Sequence, residues 1–152
     1  PDAPFGDFGK DHAIESRQYY YGAITFIDDQ IGRIIKTLKQ QGMYDNSLIV
    51  FLSDHGDMLG DHHHWRKTYA YEGSSHVPFI VKPPLNLKVD KNIKLEQVVE
   101  LRDVLPTFLD AVGIDKPSEI DGMSVLPLLS NSKAEWRPYI DLEHAAIYEN
   151  HN

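Results

Sequence analysis

Residues 48–52 read Leu-Ile-Val-Phe-Leu, and residues 53–56 continue as Ser-Asp-His-Gly. The apolar run has no polar alternation and is bounded by turn-forming residues, a pattern typical of a strand buried on both faces of a parallel sheet. Ligands of open α/β sheets bind just beyond the carboxyl ends of such strands. We therefore expect the polar residues directly after residue 52 to form a site.

The first of these polar residues are candidate metal ligands. Hard metal ions prefer carboxylate oxygens, and an imidazole nitrogen can complete their coordination. Asp54 and His55 are adjacent, so on a regular strand their side chains would point to opposite faces. Both can reach one ion only where the strand has turned into a loop, and Gly56 permits that turn. The pair is therefore predicted to bind a metal.

Three consecutive histidines and a lysine follow in the same segment. Lys67 is a long, mobile cation, and a lysine ammonium pairs well with an oxyanion such as sulfate or phosphate. Residues 62–64 have two other interpretations, a solvated surface patch or a short His-rich tract with metal affinity of its own. The strand, the glycines and the lysine together favour a site in which a metal ion and Lys67 bind a tetrahedral anion.

The remaining chain predicts helices around these strands. Apolar residues at helical spacing mark two amphipathic helices, the first ended by Gly42 and the second by Gly113, with Asp103 as the N-cap of the second. The predicted elements are helices over about 13–41 and 101–112 and further strands at 77–81 and 140–144. Their order indicates an α/β fold with a mostly parallel sheet flanked by helices.

Composition excludes several classes of partner. The chain has 152 residues, enough for one domain with a core, and a formal net charge of −8. Without a basic stripe to neutralise phosphates, we predict no nucleic-acid partner. No apolar run is long enough to span a membrane, so we predict no membrane partner either. Cysteine is absent, so no disulfide framework is expected.

Four motifs in order resemble the sulfatase family. They are Ser-Asp-His-Gly at 53–56, Leu-Gly-Asp-His at 59–62, Trp-Arg-Lys at 65–67 and Tyr-Glu-Gly-Ser-Ser-His-Val-Pro-Phe at 71–79. Bacterial arylsulfatase-like enzymes and iduronate-2-sulfatase, in the alkaline phosphatase superfamily, are similar in pattern. Lys67 follows Asp54 by thirteen positions, a spacing typical of that branch. Residues 121–129 resemble a sulfatase element whose role is packing.

The resemblance implies a role for each site residue. Asp54 and His55 would be two ligands of a divalent metal, which is calcium in most sulfatases, although a nitrogen ligand also suits manganese or zinc. Lys67 would be catalytic and would bind the sulfate, and His62 is expected to line the substrate pocket. Glu72 is expected to be structural.

The catalytic nucleophile of the family is missing from this sequence. Sulfatases use a formylglycine made from Cys or Ser in a Cys/Ser-x-Pro-x-Arg motif, and none of the serines here opens such a motif. The resemblance therefore implies that residues 1–152 are the C-terminal portion of a sulfatase catalytic domain, with no internal boundary and with the nucleophile upstream. The expected fold is part of an alkaline-phosphatase-like sheet, incomplete at both ends. A periplasmic, secreted or lysosomal location is expected from the family.

We therefore expect the intact parent to be a sulfuric ester hydrolase that acts on a sulfated small molecule or glycan. This portion is expected to be inactive without the remainder of its own chain. Three alternatives remain open. The first is a phosphonate or phosphodiester hydrolase of the same superfamily, and the second is a non-catalytic metal-binding module built on residues 62–64. The third is a purely structural, inactive relative that kept the fold, which the presence of Asp54, His55 and Lys67 does not favour.

Overall fold

The structure, a computed structural model, describes residues 4–67, 69–90 and 92–142. These residues form an α/β arrangement, which confirms the predicted fold class, and two strands pair in one sheet. The helices are α1 (Lys10–Gln40), α2 (Glu72–Ser75), α3 (Val104–Ala111) and α4 (Leu126–Ser130), the strands are β1 (Ile49–Leu52) and β2 (Phe79–Lys82), and short 3-10 turns lie at Tyr44–Asn46, Asp61–His63 and Leu101–Asp103.

The chain divides into two compact units. Among the described residues, the first unit contains 4–44, 52–78 and Leu142, and the second contains 45–51 and 79–141. The predicted absence of an internal domain boundary stays a prediction. None of the described helices combines the length and the apolar character needed to cross a membrane.

Helix α1 of the first unit confirms the first predicted helix to within a few residues. Its end is set by Gly42, whose φ of 67° is left-handed. The N–H of Gly42 donates to Lys39 O at 3.1 Å, and the N–H of Met43 donates to Leu38 O at 2.9 Å. This pair of bonds is the Schellman motif, which satisfies carbonyls that the helix leaves open.

The apolar stripe of α1 is present but only partly covered. No residue of α1 is buried. Ile24, Ile27 and Ile34 keep 47%, 50% and 60% of their surface exposed, while Ile31 and Ile35 are half-buried. The helical periodicity therefore predicted the helix correctly, and much of the face that it marks is exposed within the described residues.

The two strands form a small sheet that is only partly buried. The second predicted strand is confirmed as β2, which begins after Pro78 and ends before Pro83. The expectation that β1 is buried on both faces is wrong for this structure. Phe51 in β1 is 40% exposed and Ile80 in β2 is 59% exposed, because the described residues give the sheet two strands and cover these side chains only in part.

The core of the second unit is built around Thr107 of α3 and the segment before and within α4. Thr107 is fully buried, and its Oγ1 accepts the N–H of Val125 at 3.0 Å. Gly122 approaches the backbone so closely that a Cβ there would lie 1.9 Å from Arg102 O. The buried apolar residues of this core are Val125, Leu126, Leu128 and Leu129. The packing role predicted for residues 121–129 is therefore confirmed.

Asp103 precedes α3 as predicted, but its role as a side-chain N-cap of that helix is wrong. The carboxylate makes no capping bond to α3 and instead accepts the N–H of Glu100 at 2.9 Å, in a capping box on the preceding 3-10 turn. It also accepts the N–H of Met123 at 2.8 Å. Arg137 completes the set with two bonds of 2.9 and 2.6 Å to its two oxygens. Asp103 is thus the centre of a buried ionic network.

The end of α3 follows the sequence prediction, while the last predicted strand does not. Gly113 has a φ of 71°, and the N–H of Ile114 returns to Leu109 O at 2.9 Å. Residues 140–142 are not in a strand, so that part of the predicted strand at 140–144 is wrong. Glu143 and His144 lie outside the described residues.

Candidate active-site loop

A closed loop follows β1, and we call residues 57–66 the closing loop. Met58 is 2% exposed, and its N–H donates to Arg66 O at 2.7 Å. The Oδ1 atom of Asp57 accepts the N–H of Leu59 at 2.9 Å and that of Arg66 at 3.0 Å. These bonds bring the two ends of the loop together, so Lys67 emerges directly from its neck.

The closing loop is also tied to the start of the chain and to α1. Trp65 donates its backbone N–H to Pro4 O at 3.1 Å and its indole N–H to Gly6 O at 3.3 Å. Arg17 of α1 donates to Leu59 O at 3.1 Å. A long helix therefore supports the loop from one side within the same unit.

The backbone of the closing loop is unusual. Four of its non-glycine residues have left-handed φ values between 48° and 62°. They are Leu59, His62, His63 and Arg66. Left-handed backbone costs an L-residue about 1–2 kcal/mol, so the hydrogen bonds at the neck must offset this strain.

Gly56 is required by a close approach. The N–H of Gly56 donates to Ser74 O at 2.8 Å. A Cβ at this position would lie 2.1 Å from Gly73 O, far inside van der Waals contact. The φ of Gly56 is not left-handed, so a glycine is needed here because of the close approach and not because of the turn.

The structure brings the predicted metal ligands together. His55 Nδ1 lies 2.8 Å from Gly56 O, so we assign the ring proton to Nδ1, which donates to this carbonyl. The lone pair is then on Nε2, which lies 3.5 Å from Asp54 Oδ2. The other oxygen of Asp54 accepts the N–H of His55 at 3.0 Å. Metal-binding histidines commonly hold their second nitrogen in this way.

This donor set fits part of a divalent-metal site. One carboxylate oxygen and one imidazole nitrogen face each other, and 78% and 38% of the two side chains are exposed. Within residues 4–67, 69–90 and 92–142, no group of three or more His, Asp or Glu side chains is arranged to hold a metal. Asp54 and His55 would therefore need further ligands to hold a metal ion.

Two of the histidines after this pair, His62 and His64, contact aromatic rings. His62 is exposed, and its ring stacks on Tyr71 with centroids 4.4 Å apart and planes 16° apart. The ring of His64 lies 4.7 Å from that of Phe5 and 4.6 Å from that of Tyr69. This arrangement does not support the alternative of a metal module built on residues 62–64.

Lys67 and Glu72 follow the closing loop in the chain. Lys67 comes directly after the loop and is exposed. Glu72 begins α2, and its Oε2 lies 2.6 Å from His76 Nδ1, one helical turn later. This contact agrees with the structural role predicted for Glu72.

A shallow groove lies beside the closing loop. It has a volume of about 650 Å³, and its aromatic lining comes from Phe8, Tyr19, Tyr20 and Trp65. Its lining does not include the predicted metal ligands, Lys67 or His62. The structural roles of Asp57 and Arg17 in this loop were not predicted from the sequence. Asp57 had a local signal, because an Asp two positions before a turn residue commonly bonds the backbone N–H of that residue.

Comparison with known proteins identifies the family. Residues 2–114 match the Sulfatase family. An arylsulfatase of Clostridium perfringens (strain 13 / Type A) is 43% identical over 141 residues, which are 92% of this chain and 29% of that protein.

Solved structures agree with this match. The phosphonate monoester hydrolase of Agrobacterium radiobacter has a TM-score of 0.79 and 33% identity, over 86% of this chain and 26% of that chain. A protein solved in complex with its substrate, D-glucosamine-2-N,6-O-disulfate, has a TM-score of 0.61 and 36% identity, over 75% of this chain and 23% of that chain. The chain thus spans less than a third of the length of these relatives. Because the family match covers most of the sequence, the chain belongs to the sulfatase family of the alkaline phosphatase superfamily.

Proposed function

We propose that this chain supplies metal ligands and a sulfate-binding lysine to a sulfuric ester hydrolase. The observation that carries the proposal is the geometry after β1. The Nδ1–H of His55 donates a hydrogen bond to Gly56 O, and its Nε2 lies beside Asp54 Oδ2. Two candidate metal-binding atoms therefore lie close together after the end of a strand. Ligand sites of α/β sheets are built at this position.

Asp54 and His55 would hold a divalent cation, and the family generally depends on one. Calcium is our proposal, because it takes oxygen ligands and tolerates irregular geometry, while the imidazole nitrogen keeps manganese or zinc as alternatives. When bound, the cation would supply positive charge and Lewis acidity to the sulfuryl oxygens. The formylglycine nucleophile would come from a part of the parent protein outside these 152 residues.

Lys67 would bind and neutralise the anion. Its ammonium group would stabilise the negative charge on the sulfuryl oxygens, an interaction that strengthens as charge develops in the transition state. Its place at the neck of the closing loop supports this role, because hydrogen bonds on both sides of the neck fix the chain that carries it. His62 would line the pocket, with its ring held by the stack on Tyr71.

The proposed substrate is a sulfated small molecule or glycan. The relative solved with a disulfated glucosamine supports a sulfated sugar. The net charge of −8 supports our proposal that nucleic acid is not a partner. We also propose that the parent protein acts outside the cytoplasm, in a periplasm, a lysosome or the exterior, and that the rest of its own chain completes the site.

Hydrolysis of a small aryl sulfate by the full-length protein tests the proposal. We expect sulfate release that stops with a chelator and returns with calcium, and a protein mass that matches formylglycine. Asp54→Asn should abolish the metal-dependent activity. Asp29→Asn, which changes an exposed carboxylate in the middle of α1, should not. Chelator-resistant activity, or equal activity in both variants, would contradict the roles of Asp54 and His55.

A phosphonate monoester hydrolase is the second candidate. The observation that favours it is the TM-score of 0.79 to the Agrobacterium radiobacter enzyme. The same cation and lysine would bind a phosphonate, because both substrates present a tetrahedral group with negatively charged oxygens. A phenyl phosphonate monoester assayed beside the aryl sulfate separates the two candidates. Cleavage of the phosphonate alone would keep the site residues and replace the substrate.

A further inference from the structure

The carboxylate of Asp57 closes the loop that leads to Lys67. One oxygen atom, Oδ1, accepts two backbone N–H groups, from Leu59 at 2.9 Å and from Arg66 at 3.0 Å. The first bond forms a tight turn at the start of the closing loop. The second spans nine positions and fixes its end. A single atom therefore sets both the entrance and the exit of the loop.

The second bond also determines how the backbone reaches Lys67. Arg66, the residue before Lys67, has a left-handed φ of 62°. An L-residue adopts this conformation only when its surroundings stabilise it. The Asp57 carboxylate holds the N–H of Arg66, while Met58 holds its carbonyl with a bond of 2.7 Å. Both polar groups of the Arg66 backbone are thus fixed immediately before the lysine.

We propose that Asp57 is a positioning residue, which acts through Lys67 and fixes the ammonium group where the substrate anion binds. This inference rests on the function proposed above. Small displacements of a catalytic group lower turnover strongly, by roughly 100-fold for a shift of about 1 Å. Loss of the bonds to Asp57 should therefore affect turnover more than it affects folding.

A role as a third metal ligand is the competing explanation. Asp57 lies only two positions after His55, and carboxylates suit a hard cation. However, Asp57 does not join Asp54 and His55 in a three-ligand group among the described side chains. The two explanations differ in what they require. Loss of the carboxylate charge would weaken the hold of a ligand on the cation, whereas both observed bonds need only one acceptor oxygen, neutral or charged.

The test uses this difference in the full-length protein. Asp57→Asn keeps an acceptor oxygen, so we expect kcat within a few-fold of the wild-type value. Asp57→Ala removes the acceptor, so we expect kcat to fall by roughly 100-fold with a smaller change in KM. Asp61→Ala is the control, because Asp61 is an exposed carboxylate on the same loop that meets Arg17 only at 3.5 Å. Its kcat should stay near the wild-type value.

A double mutant shows whether Asp57 acts through the lysine. In a Lys67→Ala background, Asp57→Ala should cost little further turnover, because residues that act as a unit are not additive. A full additional loss would overturn the proposal, as would an Asp57→Asn variant as impaired as Asp57→Ala. If Asp57→Ala fails to fold, Asp57→Leu, which also lacks an acceptor but fills the space, takes its place. A large fall in its kcat beside a near wild-type Asp57→Asn supports the proposal, and near wild-type kcat in both variants overturns it. An inactive wild-type protein would instead overturn the proposed function, and this inference with it.

Discussion

At the scale of single residues, Gly56 tests the backbone contact beside the metal ligands. A methyl group there would meet Gly73 O at 2.1 Å, and the loop would have to move. We expect Gly56→Ala to lower both the melting temperature and the metal affinity. Gly32→Ala is the matched control, since a methyl group on Gly32 of α1 would meet no described atom within 4 Å outside its own helix. It should stabilise the protein by about 0.4–1 kcal/mol. Equal thermal shifts in the two variants would contradict the close approach.

Replacement of Lys67 should lower activity without lowering stability. We expect Lys67→Ala to lower kcat by roughly 100- to 1,000-fold, the usual effect of losing one group that stabilises transition-state charge. The melting temperature should change little, because an exposed side chain contributes little to folding. Lys88→Ala, at another exposed lysine, is the control. Kinetics and thermal unfolding of both variants check this prediction, which parallel losses of activity and folding would refute.

At the scale of elements, Arg137 joins the end of the described chain to the start of α3. Its guanidinium makes a two-bond contact with Asp103, whose side chain is 0% exposed, and a further bond of 2.8 Å to Glu100. Removing one partner of a buried ion pair leaves the other charge without compensation, so Arg137→Ala should destabilise the protein by roughly 3–5 kcal/mol. Denaturant unfolding measures the loss.

Arg102 is the matched control for this network. It also bonds Glu100, and that hydrogen bond raises the pKa of its guanidinium. Its side chain is 57% exposed, against 14% for Arg137, so water can replace the contact. Arg102→Ala should therefore have little effect on unfolding. A loss as large as that of Arg137→Ala would show that burial does not control the strength of these contacts.

At the scale of the whole molecule, the partly exposed apolar face of α1 has a measurable consequence. Exposed apolar surface of this kind favours association. We expect the isolated chain of 152 residues to self-associate in sedimentation experiments as its concentration rises. The double variant Ile24→Lys, Ile34→Lys should stay monomeric over the same range. The control double variant Asp28→Lys, Asp29→Lys should still self-associate, because it leaves the apolar face unchanged.

The isolated chain should also release no sulfate from an aryl sulfate.

The sequence predicted what depends on nearby residues. The helical spacing in α1, the glycine at position 42 and the glycine at 113 are local signals, and all three were interpreted correctly. The pairing of Asp54 with His55 was predictable because the two are adjacent. The metal identity and the role of Lys67 stay predictions.

The features that the sequence did not predict depend on distant partners. The ion pair of Asp103 could not be predicted, because its partner Arg137 lies 34 positions later and no spacing rule connects the two residues. Burial of β1 was misjudged because cover is a property of neighbouring layers and not of the strand itself. The need for glycine at position 56 was predicted from the turn, but it comes from the close approach of Gly73 O, which the sequence does not show.

The left-handed residues of the closing loop are also positions where substitution can change thermal stability. His63 is exposed and has a φ of 60°. Its carbonyl accepts the N–H of Gly6 and its own N–H donates to Gly60 O, and a glycine would keep both backbone bonds. Glycine adopts this φ without steric cost, so His63→Gly would remove roughly 1 kcal/mol of strain, although greater freedom of the unfolded chain cancels part of it. The closing loop thus contains a position where thermal stability can be adjusted without the loss of a backbone hydrogen bond.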